Sequence, residues 1–151
     1  MSVIVTDRKS IASDSSAIVG GLVYACGPKF RRVVKGKRRA AIAGAGMLAD
    51  CIVMFDLFEE QFPVDGGRIK LSGDYEFDDE FSGFMVNDKG RLFSLDDHGL
   101  FLPNEHPFFA IGSGRSYAMA ALALGHSLTQ AIEVAVELDA GCNGHTCLLK
   151  I

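Results

Sequence analysis

Met1-Ser2-Val3-Ile4-Val5-Thr6-Asp7-Arg8-Lys9-Ser10-Ile11-Ala12-Ser13-Asp14 opens the chain. Residues 2–7 and 10–13 alternate well enough to form two paired strands around a turn at Asp7-Arg8-Lys9. The hairpin begins at a hydroxyl, Ser2, directly behind Met1, and returns to a carboxylate, Asp14. The small Ser2 side chain permits removal of Met1. Ser2 would then carry an α-amine and a hydroxyl on one residue, and an amine titrating near about pH 7.7–8.0 can take the hydroxyl's proton. A serine in second position is also common, so its meaning depends on what surrounds it.

Outward from the hairpin, Gly27-Pro28-Lys29-Phe30-Arg31-Arg32 leads into strands near 30–35 and 38–44, joined by the turn Lys35-Gly36-Lys37. The small-residue run Ala40-Ala41-Ile42-Ala43-Gly44-Ala45-Gly46 then enters a helix over 47–62. There Leu48, Cys51, Ile52, Phe55 and Phe58 to Phe62 recur at helical spacing, and Pro63 ends the helix. Residues 67–102 read as short strands with turns at Asn87-Asp88-Lys89-Gly90 and Asp96-Asp97-His98-Gly99. Two helices follow, 114–124 and 128–138, the second opened by Ser127 as N-cap with Gln130 three residues on. A strand over 144–150 closes the chain. Strand blocks separated by helices at these places suit an α+β, four-layer αββα sandwich.

In this order the set resembles the proteasome β-type N-terminal-nucleophile hydrolases, and among them the HslV-type peptidase. Lys29 to Arg32, Ala49 to Glu60 and Ala110 to Ala121 carry the likeness, together with Gly112-Ser113-Gly114 and Asp139-Ala140-Gly141-Cys142. The resemblance implies the same αββα sandwich, shortened. It implies Ser2 as nucleophile, Lys29 as the cation that lowers the nucleophile's pKa, and Asp14 as the acid that orients Lys29. The oxyanion donor would be a glycine N–H at the strand-to-helix turn. Counting back from Ala49-Asp50 selects Gly46, and counting forward from Lys29 selects Gly44; Gly46 has the firmer anchor. Ser113 and Asp139 would orient the amine and a bound water, although Ser113 by itself reads as an N-cap.

The chain also departs from that family. The nucleophile is serine rather than threonine, which loses the methyl that restricts χ1. The first hairpin is short. The second central helix is missing, its place taken by Pro63-Val64-Asp65-Gly66-Gly67 and a strand-like stretch. Cys142 stands where a serine completes the amine-orienting set, and a thiol is a weak hydrogen-bonding group. A chain that keeps Met1 has no free amine on Ser2.

Composition bounds the remaining possibilities. The 151 residues, 48% of them apolar, fit one domain over 1–151 with a sizeable core. No apolar run approaches the roughly 18–20 residues that span a bilayer, and no signal peptide is recognisable, so the expected location is the cytoplasm. Cys26, Cys51, Cys142 and Cys147 are too few for a disulfide framework. Cys142-Asn143-Gly144-His145-Thr146-Cys147 has no common zinc spacing and reads as a turn, so neither metal nor cofactor is expected.

Residues 29–39 hold seven Lys or Arg and no acid, within a net charge of −4. That run could bind an anionic polymer, but the reading preferred is a solvated hairpin paired with carboxylates. Three functions follow. The first is a peptidase acting on polypeptide through Ser2, as a homo-oligomer that could form a ring and could be fed by a separate ATPase unfoldase. The second is a catalytically inactive structural or assembly relative. The third is a nucleic-acid or anion binder using residues 29–39.

Overall fold

The computed structural model describes residues 2–19, 22–25, 28–73 and 75–151. Met1, Cys26 and Gly27 lie outside the described residues, and so does the question of whether Met1 is removed. The elements run β1 (Ile4–Thr6), β2 (Ser10–Ser13), β3 (Ser16–Val19), β4 (Leu22–Ala25), β5 (Phe30–Lys35), β6 (Arg38–Ala45), α1 (Leu48–Gln61) and β7 (Gly67–Arg68). Then come β8 (Ser82–Asn87), β9 (Leu92–Leu95), β10 (Leu100–Asn104), β11 (Phe109–Ile111), α2 (Arg115–Ala123), α3 (Leu128–Leu138) and β12 (Cys147–Lys150).

Two antiparallel sheets form the centre. One has the order β11-β1-β2-β12 and the other β5-β6-β8-β9-β10-β7, while β3 and β4 pair with each other. Strand periodicity assigns side chains to layers, because successive residues point to opposite faces. In the first hairpin Val3 and Val5 pack under α2 and α3, with Ala118, Ile132 and Ala135. Ile4 and Ile11 face the other way and meet Ala41, Ala43, Phe84 and Leu92 between the sheets. Along β6, Ala40 and Ile42 turn instead toward α1, where Met54 and Phe58 lie. The result is α1, large sheet, small sheet, then α2 with α3: a shortened αββα sandwich. Small residues dominate β6 because it is covered on both faces, and alanine lets sheet and helix approach closely.

The helices have legible ends. α3 starts on a full capping box, Ser127 with Gln130. α1 ends where Phe62 takes a left-handed conformation (φ 48°) ahead of Pro63. The stripe that α1 buries is Asp50, Cys51, Met54 and Phe58. Leu48 and Ile52, expected on that apolar face, are 56% and 47% exposed.

Three strands are not among those expected from the sequence. β11 is three residues long, too short for alternation, and exists through its register with β1 (Ile4↔Ile111). β3 and β4 pair from Ser16↔Ala25 to Val19↔Leu22, with Gly20-Gly21 between them in the sequence, a two-residue hairpin signal. The chain-closing strand is shorter than expected and pairs with β2 on all four of its residues.

Among the described residues no helix lies between Gln61 and Arg115. The stretch that replaces one is tied to the start of α1. Tyr75 donates its hydroxyl hydrogen to Asp50 Oδ1, and the Asp78 N–H donates to Asp50 Oδ2 at 3.2 Å. Phe77 stacks on Phe81 at 4.5 Å between ring centres.

Candidate active site

The β1–β2 hairpin sets the frame. Its register places Ser13 opposite Ile4, so Asp14 follows directly beside Val3, whose carbonyl accepts the Asp14 N–H at 3.2 Å. The carboxylate is fully buried and fully used. Asp14 Oδ1 accepts the Val3 N–H at 3.0 Å and Lys29 Nζ at 2.7 Å; Oδ2 accepts the Ser16 hydroxyl at 3.2 Å and the Asn143 N–H at 3.3 Å.

Lys29 precedes β5 and reaches across the hairpin end. Its Nζ is the hub of the site, donating to Asp14 and, at 2.8 Å, to Ser2 Oγ. The lysine side chain is 9% exposed and the aspartate 0%, so the pair sits where solvent screens it little. A cation 2.8 Å from a hydroxyl stabilises negative charge that develops on its oxygen.

On the other side of Ser2, its backbone N–H donates to Ser113 Oγ at 3.2 Å. Ser113 is not a helix cap: the N-cap of α2 is Gly114, with no side-chain cap bond. Gly112 (φ +94°) explains how the chains come so close. A Cβ there would lie 2.2 Å from the Ser2 carbonyl oxygen, a contact no side chain can make. Gly114 N–H donates to that same oxygen at 3.2 Å.

Asp139, the C-cap of α3, lies behind Ser113. The Gly141 N–H bonded to it at 2.8 Å, with help from the Ser113 and Cys142 donors, holds its carboxyl below the usual range despite burial. Cys142 Sγ lies 3.5 Å from Asp139 Oδ2 and 4.0 Å from Ser113 Oγ. Burial, then the nearby Asp14 and Asp139 charges, push this thiol up to about 12. It is a neutral, weak donor at any physiological pH.

Of the two glycines at the strand-to-helix turn, Gly44 sits within β6 and spends its N–H on the Lys29 carbonyl at 3.3 Å. Gly46 (φ +132°) lines a cleft of about 520 Å³ together with Ser2 and Ser113. Ser2, Gly46 and Ser113 thus line one opening, while Lys29 bonds to Ser2, Asp14 to Lys29 and Asp139 to Ser113 without lining it. Sequence reasoning did not single out Gly112, whose signal was the paired glycines around Ser113. It also passed over Asp79, Glu80 and Phe81, which line the same cleft.

The basic run has other business. Arg31 pairs with Asp56 and Glu59, Arg38 with Asp65 and Asp88, and Lys35 donates to the Glu60 carbonyl. No group of His, Cys, Asp or Glu among the described residues is arranged to hold a metal ion. No helix among them is long and apolar enough to cross a membrane.

No protein-family model matches the chain. Over 143 residues it is 29% identical to the ATP-dependent protease subunit HslV of Thermosipho melanesiensis, covering 87% of this chain and 80% of that one. Its fold superposes on eukaryotic HslV from Trypanosoma brucei with a TM-score of 0.69 at 21% identity, covering 98% and 97% of the two chains. It superposes on a Gly-1 mutant of Anbu from Hyphomicrobium sp. strain MC1 with a TM-score of 0.75 at 15% identity, covering 100% and 81%.

Proposed function

This chain resembles the HslV-type peptidases in sequence and has the N-terminal-nucleophile-hydrolase fold, and on that premise we propose that it hydrolyses peptide bonds through Ser2 after loss of Met1. One observation carries the reading. The Ser2 hydroxyl, on a residue that lines an open cleft, lies 2.8 Å from a lysine ammonium that is itself held at 2.7 Å by Asp14.

With Met1 gone, the Ser2 nitrogen beside Ser113 is a free amine. Through a water molecule it takes the Oγ proton as Oγ attacks the scissile carbonyl carbon. Lys29 stabilises the developing negative charge on Oγ, and Asp14 keeps Lys29 aimed. The carbonyl oxygen becomes an oxyanion facing the Gly46 N–H, a donor type whose loss costs about 10²–10³ in rate. Collapse breaks the C–N bond, and the leaving nitrogen receives the proton held by the Ser2 amine. The acyl ester left on Oγ is then attacked by water, with the same amine as base, releasing the acid and restoring Ser2. Ser113 and Asp139 position the amine throughout.

The name of the Thermosipho melanesiensis relative, a subunit of an ATP-dependent protease, supports the rest of the reading. The chain works as a homo-oligomer, built from one domain over 1–151, in the cytoplasm, on polypeptide supplied by a separate ATPase. It needs no cofactor or metal.

The test is the intact mass of the untagged protein before and after a peptide epoxyketone. Loss of one methionine followed by a stoichiometric adduct, absent in Ser2→Ala, is expected. Retained Met1 with no adduct would leave the inactive structural relative as the better account. The weak Cys142 donor at Asp139, 3.5 Å away, is the observation on that side.

A further inference from the structure

The cleft beside Ser2 is charged unevenly. Asp79, Glu80 and Arg115 are exposed and all line it. None of the three enters an ion pair among the described residues. Asp56, Glu59, Asp65 and Asp88 are paired with arginine, whereas Glu105 and Glu133 are, among the described residues, as unpaired as Asp79 and Glu80; what sets the latter two apart is that they line the cleft that Ser2 lines. Two carboxylates without an ion pair thus share the cleft of the proposed nucleophile.

Their wall is also fixed in place. Phe81 Cα lies 2.9 Å and the Glu80 carbonyl oxygen 3.4 Å from where a Cβ on Gly46 would stand. The Phe77–Phe81 stack and the bonds from Tyr75 and Asp78 to Asp50 hold the same segment to the start of α1. The backbone that carries the two carboxylates is therefore held beside Gly46, while their side chains stay exposed to a ligand.

Resting on the peptidase reading of Ser2, we propose that Asp79 and Glu80 are specificity-determining residues that draw a lysine or arginine side chain of a bound polypeptide into this cleft, next to the scissile bond. Arg115 lines the same cleft. It repels a cationic side chain and so directs it toward the acidic wall, and it penalises less an acidic side chain bound in reverse. Lys and Arg match carboxylates by charge, and Arg also by its forked geometry.

The experiment uses the full chain as Ser2→Ala, which binds without turnover, and three blocked, labelled pentapeptides that differ only in a central Lys, Gln or Glu. Fluorescence anisotropy at low salt should rank them Lys, Gln, Glu, with Lys ahead of Gln by about three- to tenfold, the range expected of one or two exposed ion pairs. The gap should narrow as added salt screens the charges. Asp79→Asn with Glu80→Gln should abolish the ranking, and Arg115→Gln should weaken Glu binding relative to Lys. The remote Glu105→Gln should change nothing. Equal binding of the three peptides, absence of binding, or a ranking that survives the double variant would each overturn the proposal. If the double variant misfolds, Arg115→Gln decides: an unchanged Lys-to-Glu ratio there also overturns it. Cleavage by the Ser2 protein is scored separately. A charge ranking without cleavage or epoxyketone adduct defeats only the peptidase reading, and cleavage without a ranking defeats only this proposal.

Discussion

Lys29 holds the site together at the scale of single residues. Removing its ammonium leaves Asp14 buried with three neutral donors and no cation, a change that typically costs about 3–5 kcal/mol. Lys29→Ala should therefore lower the unfolding midpoint and also abolish the epoxyketone adduct, read by denaturant melts and mass spectrometry on one sample. A normal melt without adduct would mean the pair matters to chemistry alone. Asp139 carries a pH signature. Its folded pKa lies below the ordinary 3.8, so its stabilising contribution is complete above that pH and drains away as the pH falls through the folded value. Asp139→Asn should remove that part of the acid-side loss in melts taken below pH 4. Cys142 has the opposite sign. The folded state favours the thiol, and that preference, whole below pH 9, is lost as the pH rises toward about 12. At pH 9 Cys142 should resist iodoacetamide in the native protein and react once it is unfolded. Rapid native labelling at that position, found by peptide mapping, would contradict its burial at 3% exposure.

At the scale of elements, the segment that replaces the second helix is a wall pinned at Tyr75. Burial and the Asp50 bond push its hydroxyl up to about 12, so a late ionisation should appear in the tyrosine absorbance titration of the native protein and vanish in Tyr75→Phe. The same variant should loosen the wall against Gly46 and slow acylation while leaving α1 formed by circular dichroism. What the sequence made legible follows from local signals. α3 was readable from its capping box and α1 from Pro63, because caps and stops are written in adjacent residues. The β1–β2 hairpin was readable from its alternation. β11 was not, since three residues carry no period and only pairing with β1 makes them a strand. The exposure of Leu48 and Ile52 was also hidden, because helical spacing gives two candidate stripes and the packing of Met54 and Phe58 against β6 chooses one. For the site, residues in recognisable runs (Lys29, Gly46, Ser113) could be listed beforehand. The acidic wall could not, since Asp79 and Glu80 reach the cleft only through the tertiary anchoring of their segment on Asp50.

For the molecule as a whole, the apolar residues left outside have a place. Met47, Leu48 and Ile52 are 59%, 56% and 47% exposed around the start of α1, a patch more usual on a surface that meets another chain. Native mass spectrometry should find multiples of the chain mass, and Leu48→Glu with Ile52→Glu should shift the distribution toward single chains. A monomer at all concentrations would count against the homo-oligomer. The sheet order β11-β1-β2-β12 has one more consequence, and it concerns handling. Residues 147–150 are zipped along β2, and the Ile151 N–H donates to the Lys9 carbonyl at 2.9 Å. The strand that delivers Asp14 to Lys29 thus leans on residues 147–151, while the proposed mechanism needs the Ser2 nitrogen bare. An affinity tag fused before Ser2 would mask the proposed base, and one fused after Ile151 would tug on the strand behind Asp14. An exposed turn such as Lys35-Gly36-Lys37, away from both, is the place to attach a label.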